Sequence, residues 1–343
     1  MSEQPTAVAI SGGMDSLVAA YLLKQAGHPV FGIHFRSGYE SPQESLEPIG
    51  KALDIPIHVI DCRRAFQQEI VDYFIAAYKA GETPNPCMVC NRAIKFGHLL
   101  KAARKLGAKR LATGHYAVCE SASDGGFRLK KGADPQKDQS YFLSMLDREQ
   151  LGRAVFPLGG LSKQAVKDIA QARGLSFAAG HESQDICFTR GNHYLEFISS
   201  RTDFRPEPGD IVDASGRRLG RHQGLHRYTI GQRRGINCPA AEPYYVISLD
   251  MARNQLVVGF KNELYRTKCR IRHVNWIAAR PETPLGVTVK IRYRHAPAEA
   301  SLIAEKENRA VIRFKQPQPA ITPGQAAVCY QEDTVVAGGW IYE

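Results

Sequence analysis

The chain has 343 residues, 45 Lys and Arg against 34 Asp and Glu, and a formal charge of +11, a balance that favours an anionic partner, nucleic acid before a membrane surface. Hydrophobic residues at 43% and charged residues at 23% are ordinary for a soluble globular protein, and the length suits two or three domains. No apolar run approaches membrane-spanning length, and an apolar strand already begins at Ala7. The expectation is therefore a cytoplasmic protein without a leader, its eight cysteines mainly reduced.

The run Ala7-Val8-Ala9-Ile10 reads as a buried strand, and Leu17, Tyr21 and Leu22 mark a helix. Between them lies Ser11-Gly12-Gly13-Met14-Asp15-Ser16. Two glycines permit a tight turn and close approach, and the amides of the helix start then face an anion, most simply a phosphate. No Lys-Ser/Thr pair follows, so this is not the Walker pattern, nor is it the spaced-glycine dinucleotide fingerprint. The plain alternative is a strand-to-helix turn in which Asp15 and Ser16 only cap the helix. Ser-Gly-Gly-x-Asp-Ser resembles the pyrophosphate loop (PP-loop) of ATP pyrophosphatases, which activate a carbonyl or carboxyl oxygen by adenylation.

Val30-Phe31-Gly32-Ile33-His34-Phe35 reads as a second strand, residues 46–53 as a helix and Ile57-His58-Val59-Ile60 as a third strand. This alternation predicts an α/β fold, a doubly wound parallel sheet with ligands at the carboxyl ends of its strands. Phe35, closing its strand, is placed either to meet a nucleotide base or to join the core. A helix is expected over 65–79. Thr83-Pro84-Asn85-Pro86-Cys87-Met88-Val89-Cys90-Asn91 follows, where two prolines argue against helix until residue 92. Cys87 and Cys90 are thus expected at a loop-to-helix junction, where a helix dipole would favour the thiolate.

Residues 110–113 read as a fourth strand ending at Gly114-His115-Tyr116-Ala117, with a hairpin around Gly125-Gly126 and helices over 147–153, 162–173 and 193–200. Arg205-Pro206-Glu207-Pro208-Gly209 signals a linker, beyond which short alternating strands predict two smaller β-rich domains, the last barrel-like. The expected boundaries are 1–203, 204–266 and 267–343. From Arg217 to Gly235 there are six arginines and two histidines without an acid, either a solvated face or, with Tyr228 and the glycines, a surface for phosphate and sugar. Val287, Val289, Ile291 and Tyr293 alternate with Thr288, Lys290, Arg292 and Arg294, the pattern of a strand with one apolar and one basic face. Salt-sensitive nucleic-acid binding is expected.

Five cysteines, Cys62, Cys119, Cys238, Cys269 and Cys329, stand alone in apolar or strand-like surroundings, as buried thiols usually do. Cys87-x-x-Cys90 and the distant Cys187 lack a fourth ligand for structural zinc. A thioredoxin-like motif fits poorly with Pro86; unrelated buried thiols and sulfur transfer stay open.

Thr83-Pro84-Asn85-Pro86, Cys90-Asn91, Ile94-Lys95-Phe96, Gly114-His115-Tyr116-Ala117, residues 137–143 (KDQSYFL), Ile186-Cys187-Phe188, residues 228–235 (YTIGQRRG), Arg292-Tyr293 and Thr322-Pro323-Gly324-Gln325 together resemble the tRNA-specific 2-thiouridylases of the MnmA type. The resemblance spans nearly the whole chain. It implies that Cys90 is a nucleophile, that Cys187 carries a persulfide delivered by a donor protein, and that Ala9, Ile10, Ser11, Gly12, Gly13, Met14, Asp15, Ser16, Phe35 and Gly114 hold ATP. It further implies that Asn85, Pro86 and Cys87 face the target base, and that His115, Lys137, Asp138, Gln139, Arg292, Tyr293 and Gln325 contact tRNA at its anticodon loop.

One departure matters, because the position of Cys87 is commonly Asp in that family, in a proposed acid–base role. With Cys87, three thiolates are available for an iron–sulfur cluster with one open iron. Both a Cys187–Cys90 persulfide relay and a cluster on Cys87, Cys90 and Cys187 are carried forward. The implied reaction is adenylation of the C2 oxygen of the wobble uridine with ATP and Mg²⁺, then its replacement by sulfur, on a base already unstacked in a single-stranded loop. The alternatives are another PP-loop adenylating enzyme (a 4-thiouridine synthase, a lysidine synthetase or an amidotransferase-type ligase) and a non-catalytic tRNA-binding module.

Overall fold

The computed structural model describes residues 4–40, 46–123, 125–175, 186–189, 194–201 and 205–343. The stretch Glu182 to Asp185, the helix start at His193 and the boundary near 203 lie outside them. The chain divides into two compact units, one of Met1–Val71, Pro86–Arg190 and Asp333–Val336, the other of Asp72–Asn85, Gly191–Glu332 and Ala337–Glu343. Among the described residues no helix is long and apolar enough to cross a membrane.

The first unit opens with β1 (Thr6–Ala9), α1 (Met14–Gln25), β2 (Val30–Arg36), α2 (Glu47–Leu53), β3 (Ile57–Asp61) and α3 (Arg63–Phe66). A π-helical segment, Gln67–Val71, follows, and α4 (Asp72–Lys79) falls in the second unit. The first unit resumes with α5 (Pro86–Cys90), a longer π-helical segment (Asn91–Leu99), α6 (Leu100–Lys105), β4 (Arg110–Ala112), β5 (Ala117–Ser121), β6 (Phe127–Lys131), α7 (Ser140–Leu143), α8 (Arg148–Arg153), β7 (Ala154–Val155) and α9 (Lys163–Ala172). The parallel sheet runs β3-β2-β1-β4-β7. Its order reverses between β1 and β4, so the loops leaving those two strands diverge over a crevice at the sheet's carboxyl edge.

Helix α1 is apolar on nearly all sides because it is enclosed on nearly all sides: Leu17, Val18, Ala19, Ala20 and Leu23 are buried. They share one core with Val8 and Ile10 from the β1 end, Ile49 and Leu53 of α2, and Val166 and Ala170 of α9. Burying each of the Val, Leu and Ile side chains contributes about 1.5–3 kcal/mol, which anchors the loop between β1 and α1 at both ends.

In the second unit α4 meets α10 (Tyr194–Arg201) through stacked Tyr78 and Tyr194, with ring centroids 4.7 Å apart. A four-stranded sheet is built from β8 (Gly209–Asp213), β9 (Arg218–His222), β10 (Tyr245–Asp250) and β11 (Gln255–Gly259), in the order β10-β11-β8-β9. It encloses Ile211, Tyr228, Ile236, Tyr244, Val246, Leu256 and Val258. The final strands are β12 (Tyr265–Trp276), β13 (Leu285–Lys290), β14 (Ala298–Glu305), β15 (Arg309–Pro319), β16 (Ala326–Gln331) and β17 (Thr334–Ile341). Pairing of β12 with β17, with Ile271 opposite Ile341, closes these six into an antiparallel barrel. Closure removes the exposed strand edges that an open sheet would leave.

The strand expected over 287–294 ends at Lys290, although the alternation of buried side chains continues through Ile291. Val287 and Val289 are buried, but the chain then turns, with the His295 amide donating to the Arg292 carbonyl at 3.0 Å. Arg292 and Arg294 are therefore on a turn, not on a basic strand face.

Candidate active site

The loop after β1 is ordered by its own hydroxyls. Ser16 Oγ donates to the Gly13 carbonyl at 2.7 Å and accepts from the Ser11 amide at 3.2 Å. Gly12 has φ +82°, which a side chain would resist. Gly13 occupies the N-cap of α1, and no side chain caps the helix. Asp15 is directed elsewhere: its carboxylate accepts from Lys163 Nζ at 2.7 and 2.8 Å and from the Tyr116 hydroxyl at 2.9 Å. The capping role considered for Asp15 thus gives way to an ion pair between the loop and the start of α9.

Gly114, from the loop after β4, backs onto the same turn. A Cβ there would stand 2.7 Å from the Asp15 carbonyl carbon and 2.9 Å from the Ser16 nitrogen, so only glycine lets the two loops meet at this distance. Phe35, at the end of β2, is half-buried and stacks on Phe66 at 6.3 Å.

The next residue, His115, is buried and leads to the cysteines. Its Nδ1 lies 2.7 Å from Thr113 Oγ1 and its Nε2 3.4 Å from Lys95 Nζ. Burial first, and then the Lys95 ammonium, push its pKa well below the usual histidine value. A neutral ring with Nδ1–H donating to Thr113 and Nε2 accepting from Lys95 satisfies both contacts.

Helix begins at Pro86, earlier than the prolines suggest. Proline at the first helical position loses no hydrogen bond, and its fixed φ already suits the helix. Cys87 therefore lies in the first turn, and Cys90, with φ −60° and ψ −42°, is fully helical where α5 passes into the π-helical segment. Two carbonyls of that segment, those of Arg92 and Phe96, accept from Gln150 Nε2 at 2.8 and 3.1 Å. Gln150 also closes the capping box of α8 with Asp147. Beside Cys90, Asn91 Nδ2 donates to the Phe142 carbonyl at 3.1 Å, while its Oδ1 is buried without a hydrogen-bond partner.

Cys87 and Cys187 reach the surface and Cys90 partly so. The lowering expected of the Cys87 and Cys90 pKa values is not found. The protein packed around each sulfur disfavours the anion and pushes Cys90 up to about 12, with Lys95 opposing and the Cys187 and Cys87 sulfurs adding a smaller rise. Cys87 and Cys187 shift upward too, chiefly through desolvation, again opposed by Lys95. The dipole of a five-residue helix does not offset loss of solvent. The three thiols thus act on one another electrostatically and share Lys95. Among the described residues no three His, Cys, Asp or Glu side chains are grouped to hold a metal ion.

The remaining candidates divide between the units. Asp138 accepts from the Gly132 and Ser140 amides and from Ser140 Oγ, all within 3.1 Å, and Gln139 Oε1 accepts from the Tyr116 amide at 3.0 Å. Lys137, partly exposed, precedes them. In the second unit Gln325 Nε2 donates to the carbonyls of Thr83 and Pro84 at 3.1 and 3.3 Å. The Thr83 amide donates back to Pro323 at 2.8 Å, and Arg272 pairs with Glu82 at 2.6 Å. This clamp fixes the extended loop leading to buried Asn85. Arg292 donates to the Ala320 carbonyl at 3.4 Å, and Tyr293 lies under Lys290.

The basic stretch 217–235 is less uniformly charged than it reads. Arg217 and Arg218 pair with Asp213 and Asp210 at 3.0 Å. His222 and His226 are buried, and desolvation lowers both below the usual value. Tyr228 is buried as well. Arg233 and Arg234 instead line a hollow of about 560 Å³ with Asn237, Cys238 and Tyr244.

Comparison with known proteins places this geometry. Residues 4–191 match the family described as "tRNA methyl transferase HUP domain", 196–260 the "tRNA methyl transferase PRC-barrel domain" and 266–341 the "Aminomethyltransferase beta-barrel domain". A tRNA-specific 2-thiouridylase MnmA from Desulfosudis oleivorans is 53% identical, over 98% of this chain and 94% of its own. The chain belongs to the MnmA family of tRNA-specific 2-thiouridylases. A second MnmA relative, from Geotalea uraniireducens, is 45% identical over 97% of this chain and 94% of its own. Among solved structures, a 4-thiouridine synthetase–RNA complex with bound ATP matches at TM-score 0.37 and 17% identity, over 57% of this chain and 50% of that one. Membership of this PP-loop family implies the use of ATP.

Lys163, Lys95, Tyr116 and Gln150 were not singled out as site residues by sequence. Lys95 and Tyr116 lie inside recognisable motifs, which was the available signal. Lys163 and Gln150 act across 148 and 58 residues, which spacing alone does not show.

Proposed function

We propose that this chain converts the wobble uridine of tRNA to 2-thiouridine at the cost of ATP, with chain division near 203 and 266. One observation carries the reading: the adjacent residues Gly114 and His115 abut the phosphate loop on one side and, through Lys95, the thiols on the other. Activation and sulfur delivery are then neighbouring events.

In this reading the Ser11–Ser16 loop and Gly114 hold the ATP phosphates and Phe35 meets the adenine. Mg²⁺ would offset phosphate charge when bound; the one carboxylate of the loop, Asp15, is already held by Lys163 and Tyr116. Asn85, Pro86 and Cys87 face the uracil, and His115, Lys137, Asp138, Gln139, Arg292, Tyr293 and Gln325 lie along the tRNA. The uracil C2 oxygen attacks the α-phosphate and pyrophosphate leaves, which makes a poor leaving group into AMP. A Cys187 persulfide, loaded by a donor protein, attacks C2 through its terminal sulfur and AMP departs. The Cys90 thiolate then attacks the Cys187 sulfur and frees the thiocarbonyl. A Cys90–Cys187 disulfide remains, and an external thiol returns two electrons before the next cycle. No step in this reading is routed through an iron–sulfur cluster; a cluster on Cys87, Cys90 and Cys187 is the competing version that the experiment below separates from it.

The test is nucleoside mass spectrometry on tRNA from cells lacking the protein, after incubation with enzyme, ATP, Mg²⁺ and a persulfide source. One arm is aerobic and one follows anaerobic iron–sulfur reconstitution, each beside Cys87→Ala, Cys90→Ala and Cys187→Ala. Formation of 2-thiouridine that needs Cys90 and Cys187 but neither iron nor Cys87 fits the relay. Dependence on reconstitution and on all three cysteines would replace the relay with the cluster. Absence of 2-thiouridine in every arm, with tRNA and ATP shown to bind, would move the search to another adenylated target.

A further inference from the structure

Lys163 is fixed from both ends. Its backbone amide donates to Asp134 Oδ2 at 2.9 Å, and Ser162 caps the same turn by accepting from the Ala165 amide at 3.1 Å. Its ammonium sits 2.7 and 2.8 Å from the Asp15 oxygens and 5.6 Å from the centre of the Tyr116 ring. The side chains of Lys163 and Asp15 are only 12% and 30% exposed.

A purely structural ion pair would explain a tie between α1 and α9, but not its placement. The loop from Ser11 to Ser16 carries no positive side chain, and its one charge is the carboxylate of Asp15. Left alone, that carboxylate would repel any anion bound by the loop amides. Lys163 cancels it and sets a cation against the loop's own carboxylate. A lysine is suited to this role, since its compact ammonium binds phosphate as a point charge, without the fixed fork of arginine.

We propose that Lys163 is a phosphate-binding residue, its ammonium receiving the polyphosphate of ATP at the Ser11–Ser16 loop after being held in position by Asp15 and Tyr116. The assignment rests on ATP being the nucleotide. It predicts discrimination by phosphate number, because a site for the outer phosphates has little to offer AMP.

Calorimetric titration of the full chain with ATP and with AMP, each with and without Mg²⁺, tests this without requiring turnover. Lys163→Met is expected to weaken ATP binding about 100-fold and AMP binding by less than about threefold, and Lys163→Arg to restore ATP to within about tenfold of the parent. The paired variant Asp15→Asn/Lys163→Met leaves no orphaned charge if the single variant fails to fold, and should show the same selective loss. Equal losses for ATP and AMP would mean that Lys163 only supports the loop, and unchanged ATP affinity would mean that it does not meet the phosphates; either overturns the assignment. A parent protein that binds AMP and ATP alike would also overturn it, and one that binds neither would remove the ATP reading with it.

Discussion

The phosphate loop and the thiol helix are held ready in opposite senses. In the loop, charge is already displayed and already compensated: Asp15 is ionically bound by Lys163, the hydroxyls of Ser11 and Ser16 are bonded to each other, and Gly114 closes the back. In the helix, charge is withheld, with Cys90 pushed up to about 12 by burial. A binding element gains from being fixed before its ligand arrives. A nucleophile kept as a thiol until its partner comes is protected from stray oxidation and alkylation.

The sharpest separation of the two regions is expected from Cys90→Ser and Cys187→Ser, which should lower 2-thiouridine formation about 1000-fold or more while ATP affinity by calorimetry stays unchanged. Loss of ATP binding in either would show that the regions are one unit. The converse variant is Gly114→Ala. Its methyl must displace backbone of Asp15 and Ser16, costing about 1–3 kcal/mol of stability with weaker ATP binding, whereas alkylation of Cys187 should proceed at the parental rate. Denaturant melts and timed alkylation check the two halves of that expectation.

Gln150→Ala addresses the helix alone. Losing a capping-box partner and two carbonyl contacts should cost about 1–2 kcal/mol, visible as a shifted melting midpoint and faster amide exchange at residues 91–99. The last expectation concerns pH, and its effect is absent below about pH 8.5. A thiol whose folded pKa stands at about 12 keeps its proton where the unfolded thiol, near 8.5, has lost it. The unfolded chain is then favoured increasingly as pH rises from about 8.5 toward 12, so the stabilising contribution of Cys90 is complete below that window and lost across it. Alkaline melts of the parent and Cys90→Ala should diverge accordingly, the variant being less sensitive; parallel curves would show that Cys90 is not held neutral.

The parallel sheet was legible because strands buried on both faces read as continuous apolar runs, as in Ala7 to Ile10. β7, two residues long, has no such run. The start of the thiol helix was misread because Pro86 acts as a first helical residue and not as a breaker. Likewise, His222 and His226 read as charge although the fold buries them as neutral rings. Motif residues of the loop were found from spacing, but the cation facing Asp15 comes from a helix that only the fold brings to it.

The clamp of Gln325 on Thr83 and Pro84 spans 242 and 241 positions of chain, and this has a consequence for biosynthesis. A ribosome delivers Thr83, Asn85 and the following cysteines long before it delivers the turn that fastens them. During most of the synthesis of residues 86–324 the segment ahead of Pro86 lacks its bracket, which is completed only when Gln325 has left the exit tunnel. A nascent chain stalled short of Gln325 should therefore expose Cys87 and Cys90 to alkylating reagent more readily than the finished protein, so that this part of the molecule waits on a residue made 241 and 242 positions after the carbonyls it holds.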